Sequence, residues 1–157
     1  MTDGYLVLKW LHIVSATVLF GTGLGTAMHM WLSHRSGDVR AISVAAINTV
    51  RADWWFTLPS VIVQPVSGFG LVWLGGYDAG APWLLATYAL YALAGSCWIV
   101  VVWLQIRTRD LVAESIRRGQ PLPRLYHRMM HIWHILGWPA FLAMLATFWL
   151  MVAKPSL

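Results

Sequence analysis

Long apolar stretches alternate with short polar ones along the chain, and four of the apolar stretches are long enough to cross a lipid bilayer. Each approaches or exceeds the length of about 20 residues that a helix needs to span the hydrocarbon core. Lipid cannot hydrogen-bond exposed backbone groups, so each span is predicted to be helical. The predicted spans are residues 5–31, 53–75, 82–106 and 130–152. The pattern therefore predicts an all-α, four-helix transmembrane bundle that forms one domain, residues 1–157.

The composition agrees with a membrane protein and excludes an ordinary soluble domain. Hydrophobic residues make up 59% of the chain and charged residues only 11%, whereas soluble domains carry roughly 25% charged residues. Between Trp54 and Ile106 the one charged residue is Asp78. The net charge of +5 does not indicate a nucleic acid partner, because the basic residues flank the spans. The single cysteine, Cys97, excludes an intrachain disulfide.

Arginines concentrate in two of the three connections between the predicted spans. The connection at residues 34–52 contains three arginines and the connection at residues 107–129 contains six, whereas residues 75–81 contain none. Loops rich in lysine and arginine stay on the cytoplasmic side of a membrane. Two Arg-rich cytoplasmic loops and two outside termini are therefore predicted for a multi-pass protein of the bacterial inner (cytoplasmic) membrane. Residues 107–118 are predicted to continue the third helix until Gly119 stops it.

Each predicted helix carries one stripe of polar or aromatic residues, taken at about 100° per residue. Polar side chains avoid lipid, so the four stripes are predicted to face a shared interior. In chain order the stripes contain His12, Ser15, Thr22, Thr26 and His29; Asp53, Thr57, Ser60, Gln64 and Ser67; Thr87, Tyr91, Trp98 and Gln105; and His127, His131, His134 and Trp138.

The histidines of the fourth stripe point to haem. His127, His131 and His134 lie within an arc of about 60° on one helical face. A b-type haem in a helix bundle is usually held by histidines of two helices at one depth. Because successive helices run in opposite directions, His29 shares the depth of His131 and His134. The sequence therefore predicts a haem b between His29 and one of these two, serving electron transfer or a membrane oxidoreductase with a quinone or protein redox partner.

A non-haem transition metal is the alternative cofactor. His29, Asp53, His131 and His134 offer nitrogen and oxygen ligands, and the spacings of three and four suit two ligands from one helix. No HExxH or comparable signature accompanies them. The protein would then be a non-catalytic metal-binding or transport-accessory membrane protein of the copper-resistance type. Both this function and the haem function are compatible with a homo-oligomer.

A proton or quinone path is a third interpretation of the same polar residues. Asp53, Gln64 and His12 lie within or at the edge of spans, where ionisable groups are functional candidates. Asp53 stands at the first position of its predicted span, so a helix N-cap explains it as well. For Asp53 we favour the cap.

Seven short segments resemble a bacterial family of small four-span predicted integral membrane proteins. The resemblance covers most of the chain and implies a membrane location without an activity. The segments are residues 9–13, 20–23, 53–57, 64–68, 97–98, 102–107 and 137–141.

A more distant resemblance is confined to the first span. The Lys-x-x-His pattern of Lys9 and His12 is similar to the opening of HemJ-type protoporphyrinogen oxidases and of CopD-type copper-resistance proteins. In the HemJ type the matching histidine is a haem ligand, so the resemblance implies haem binding by His12. The HemJ type also uses a lysine of a later span, and spans two to four here contain no lysine. If His12 and the other histidines both bind haem, the bundle holds two haems, one near each membrane face.

Overall fold

The computed structural model describes residues 3–155, which form four long helical runs. The second run is continuous, because a π-helical turn joins α2 to α3. All four runs are long and apolar enough to cross a membrane, which confirms the predicted four-span, all-α fold. The elements are α1 (Asp3–Ser36), α2 (Val39–Ala52), the π turn (Asp53–Thr57), α3 (Leu58–Gly75), α4 (Pro82–Arg118) and α5 (Arg124–Ala153).

The helices extend past the predicted spans at the arginine-rich end. The prediction of a loop at residues 34–52 was wrong, because α1 continues to Ser36 and α2 starts after a two-residue turn. Gly37 enables this turn with φ of 71°, and the Asp38 side chain caps α2 by accepting a hydrogen bond from the Arg40 amide at 2.8 Å. The predicted span followed the bilayer thickness, whereas the helix itself continues past residue 31 to Ser36.

The most densely packed region also lies at the arginine-rich end. Only 6–11% of the residues in the apolar windows of the four helices are buried. Lipid supplies no hydrophobic driving force between helices, whereas water does. The buried core lies toward the arginine-rich ends of the helices, and it includes residues both inside and beyond the predicted spans. Its residues are Met30, Ile42, Ala45, Ala46, Leu104, Val112, Tyr126, Met129, Met130 and Trp133.

Toward the other end, the bundle consists of two helix pairs, α1 with α3 and α4 with α5, and aromatic side chains connect the pairs. At the arginine-rich end α2 packs on both α1 and α4. Phe20 of α1 stacks on Phe141 of α5 with ring centroids 5.4 Å apart. Phe69 of α3 meets Tyr88 of α4 at 5.5 Å. Large side chains thus span the distance between the two pairs.

At the side of the bundle opposite the arginines, the residue after α5 contacts the turn between α3 and α4. Lys154 follows α5, and its Nζ donates a hydrogen bond of 2.7 Å to the Tyr77 hydroxyl. The same ammonium lies 5.8 Å from the ring centroid of Trp83. The hydrogen bond from Lys154 lowers the pKa of Tyr77, because it favours the phenolate.

Candidate functional site

Three histidines come together between α1 and α5 at the arginine-rich end. The ring centroid of His34 lies 5.9 Å from that of His127 and 6.3 Å from that of His134. His34 Nδ1 lies 3.0 Å from the hydroxyl of Tyr126, a fully buried residue of α5. These contacts hold the His34 ring against α5. We call His34, His127 and His134 the histidine cluster.

His134 has the hydrogen bonding of a metal ligand. Its Nδ1 lies 2.7 Å from the backbone carbonyl oxygen of Met130. Because a carbonyl can only accept, Nδ1 carries the proton and Nε2 carries the lone pair. Nε2 is buried and has no hydrogen-bond partner. Histidines that bind metals typically donate their other N–H in this way, so His134 offers an oriented nitrogen.

A groove leads from the histidine cluster along the interface of α1 and α5. On each helix, four residues spaced by three, four and seven share a face within an arc of about 60°. The two helices also meet where the Phe20 ring lies 5.4 Å from those of Phe141 and Phe148. Between these contacts, a Cβ added to Gly23 or Gly137 would meet no atom within 4 Å. The faces of this α1–α5 groove are Phe20, Gly23, Ala27 and His34 on α1, and His134, Gly137, Phe141 and Phe148 on α5.

The structure does not bring His29 to α5. His29 is exposed, and it follows Phe20 by nine residues, which is about 180° around α1. Since Phe20 contacts α5, His29 points to the opposite side of the bundle. His131 is also exposed, beside the histidine cluster on α5. Depth along the bundle, on which the predicted pairing of His29 with His131 or His134 depends, does not determine the rotation of α1 about its axis.

The histidine of α1 that faces His134 is His34, whereas the sequence predicted His29. The predicted first span ended at residue 31, so His34 was counted as part of a loop. Extending α1 by five residues puts His34 fourteen residues after Phe20, on the same helical face. The missed signal was this shared face, which becomes visible only when the helix continues beyond the membrane thickness.

His12 lies toward the end of the bundle opposite the arginines, in a polar contact between α1 and α3. Its Nδ1 lies 2.8 Å from Ser67 Oγ, which in turn donates to the Val63 carbonyl at 2.6 Å. Gln64 Nε2 donates to the His12 carbonyl at 2.8 Å and to Ser15 Oγ at 2.6 Å. His12 Nδ1 is therefore the donor to Ser67, and Nε2 carries the lone pair. This network fixes the register of α1 against α3.

The residues predicted to hold a non-haem metal lie apart. Within residues 3–155, no three histidine, cysteine, aspartate or glutamate side chains are grouped closely enough to hold a metal ion. Of the predicted set, His29 points away from α5 and Asp53 faces α4, whereas His131 and His134 are on α5.

Asp53 is not a helix N-cap, which corrects the interpretation favoured from the sequence. It has helical dihedrals (φ −62°, ψ −43°), and its own N–H bonds back to carbonyls of α2. Asp53 begins the π turn, in which the Leu58 amide bonds to the Asp53 carbonyl. Pro59, two residues after the π turn, lacks an N–H and crowds the preceding turn, which explains why the helix widens here. π turns occur frequently at functional sites.

The carboxyl group of Asp53 is the centre of a buried polar pocket. Asp53 is 6% exposed, and side chains of its own turn and of α4 face its carboxyl group. Asp53 Oδ2, Thr57 Oγ1, Trp98 Nε1 and Gln105 Oε1 are buried without a hydrogen-bond partner. We call Asp53, Thr57, Trp98 and Gln105 the Asp53 pocket.

Comparison with known proteins identifies the family. No curated protein and no solved structure matches the chain. A family model described as predicted integral membrane protein (DUF2269) matches residues 6–155. That description states a membrane location, in agreement with the four spanning helices, and names no ligand. Because the match covers nearly the whole sequence, the chain belongs to DUF2269, a family of predicted integral membrane proteins.

Proposed function

We propose that the protein is an integral membrane b-type haem protein that serves electron transfer or a membrane oxidoreductase. The observation that carries this proposal is the pair His34 and His134, two imidazoles from different helices with centroids 6.3 Å apart. Imidazoles on opposite sides of one metal ion have centroids roughly 6 Å apart, because metal–nitrogen bonds are about 2 Å long. His34 and His134 are the residues that would hold the haem, at the end of the α1–α5 groove.

The surroundings of the pair support haem over a bare ion. The groove is lined by Gly23 and Gly137, and the absence of side chains at these positions leaves room for a flat ring. Phe20 and Phe141 close its far end with aromatic surface. Arg35, next to His34, and the other arginines of this end suit the carboxylates that haem carries. A haem held by two histidines would have no iron position free for a substrate, so the chemistry it would supply is electron transfer.

The alternative is a non-catalytic transition-metal protein of the copper-resistance type. One observation favours it: His127 lies 5.9 Å from His34 and supplies a third imidazole to the histidine cluster. The three side chains are not close enough in the structure to share one ion, so the exposed His127 side chain would have to turn toward an ion held by the other two histidines. Three neutral imidazoles suit zinc or copper.

The absorption spectrum of the purified protein, titrated with haem, tests both functions. We expect a Soret band and sharp α and β bands on reduction, which indicate six-coordinate low-spin iron. The double variant His34→Ala/His134→Ala is the matched control and should bind no low-spin haem. A colourless protein that binds zinc or copper stoichiometrically would favour the alternative. A protein that binds neither haem nor metal would contradict both proposals.

We also propose an orientation in the bacterial inner membrane, with the arginine-rich end in the cytoplasm and both termini outside. All nine arginines lie within residues 35–51 and 107–128, and such residues resist transfer across a membrane. A reporter active only in the periplasm should function after the last residue of the chain and fail within residues 119–123, the turn between α4 and α5. The reverse activities would overturn the orientation.

A further inference from the structure

The Asp53 carboxyl group is a buried titratable group for which haem binding provides no role. Thr57, Trp98 and Gln105 lie around the carboxyl group and are its possible hydrogen-bond partners, but none of these side chains is hydrogen-bonded to its Oδ2 atom in the structure. None of these three neighbours carries a charge. The ion pairs among residues 3–155 are formed by Asp110 and Glu114 with arginines of α4, and none involves Asp53.

An ionised Asp53 would therefore be a buried charge with neutral hydrogen-bonding neighbours and no counter-ion. Moving a carboxylate from water into an apolar interior costs many kcal/mol unless it is paired, and such groups usually bind a proton instead. Protonation also improves the hydrogen bonding of the pocket. It turns one carboxyl oxygen from an acceptor into a donor, and Gln105 Oε1 is a buried acceptor without a partner.

Two cavities adjoin the Asp53 pocket. One, of about 50 Å³, lies between the π turn and α4, and apart from Asp53 itself it is lined by apolar and aromatic residues, including Trp54 and Leu58. Trp54 is 59% exposed at the surface of the spanning region, so this cavity adjoins the lipid. The other, of about 10 Å³, is lined by Thr49, Gln105 and other residues of the core at the arginine-rich end.

We propose that the Asp53 pocket is a proton-binding site within the membrane protein, in which Asp53 holds a proton as a neutral carboxylic acid. The ligand is the proton itself, and Thr57, Trp98 and Gln105 are the neutral hydrogen-bonding groups that position the acid. The lipid-side cavity makes the acid reachable for small apolar molecules. The site is independent of the histidine cluster and stands whether or not the protein binds haem.

A hydrophobic carbodiimide tests this proposal, because it reacts with protonated carboxyl groups and not with carboxylates. The carboxyl oxygen bonds to the central carbon of the reagent and the proton moves to nitrogen, so the adduct gains the full mass of the reagent. Purified protein at pH 7 is treated with dicyclohexylcarbodiimide, and the modified peptide is identified by mass spectrometry. We expect one adduct, at Asp53. The five other acidic residues in the chain are internal controls.

The variant Asp53→Asn and the salt dependence complete the experiment. Asp53→Asn keeps the size of the side chain and should abolish the adduct in protein that elutes as the wild type does. Labelling of Asp53 that is the same with and without 100 mM NaCl supports the proton site. Protection by sodium would identify a monovalent cation as the ligand and overturn the proposal. An unmodified Asp53 in folded wild-type protein would overturn it as well.

Discussion

Replacing His134 with alanine is expected to abolish the low-spin spectrum of the haem-loaded protein. The substitution removes the nitrogen whose lone pair is oriented by the Met130 carbonyl, and an open iron position then gives a high-spin spectrum or loss of haem. Loss of an outer-shell partner of a metal ligand costs roughly 10–100-fold in affinity, so loss of the ligand should cost more. Absorption spectra and haem titration of the purified variant measure both effects, and His34→Ala should behave similarly.

Matched histidine variants separate ligand loss from general damage. His131→Ala changes an exposed histidine of the same helix, and His29→Ala changes one on the far side of α1; both should keep the low-spin spectrum. Imidazole added to His134→Ala should restore it by filling the space of the lost ring. If His29→Ala or His131→Ala removed the haem instead, the pairing derived from helix depth would replace the one proposed. If His12→Ala alone removed it, the haem would lie at the opposite end of the bundle.

Replacing Ile42 with alanine is expected to destabilise the protein by about 2–4 kcal/mol, in the range that large-to-small core substitutions cost. Ile42 is 1% exposed in the core at the arginine-rich end, where neighbouring helices cannot close the cavity completely. The free energy of unfolding in mixed micelles, with sodium dodecyl sulfate as denaturant, measures the effect.

Ile62 provides the matched control for this prediction. It lies in α3, is 57% exposed and faces the lipid. Lipid chains fill the volume that Ile62→Ala vacates, so its cost should stay below about 1 kcal/mol, since a cavity adds to the cost only where the surroundings cannot relax. Equal costs for the two variants would show that the bundle is not held together mainly by the core at its arginine-rich end.

The existence of the four spanning helices followed from the sequence alone. The bilayer demands a minimum apolar length and full backbone hydrogen bonding within each span, and both requirements are local properties of the chain. The end of α4 was also predictable from a local property, because a glycine commonly ends a helix. In the structure Gly119 adopts φ of 60° and stops α4 there. The periodicity also placed His127 and His134 on one face of α5, where the structure has them in one cluster.

Other features depended on packing between helices. The sequence could not show that α1 continues to Ser36 and forms a core with α2, α4 and α5, because hydropathy indicates only where lipid is tolerated. Nor could the sequence decide whether Asp53 caps a helix or is buried between helices, since a carboxylate at a span boundary fits both roles. The π turn that carries Asp53 arises from Pro59 within a helix that neighbouring helices keep continuous.

The sequence by itself therefore determined the number of spans, the arginine-rich end and the helical face that carries the histidines. The tertiary structure alone decided which histidine of α1 faces α5. His34 and His29 differ by five residues, and periodicity treats each as part of a polar face. The rotation of α1 is set by distant contacts, Phe20 on Phe141 and His12 on Ser67, and these contacts turn His34 toward His134 and His29 away from it.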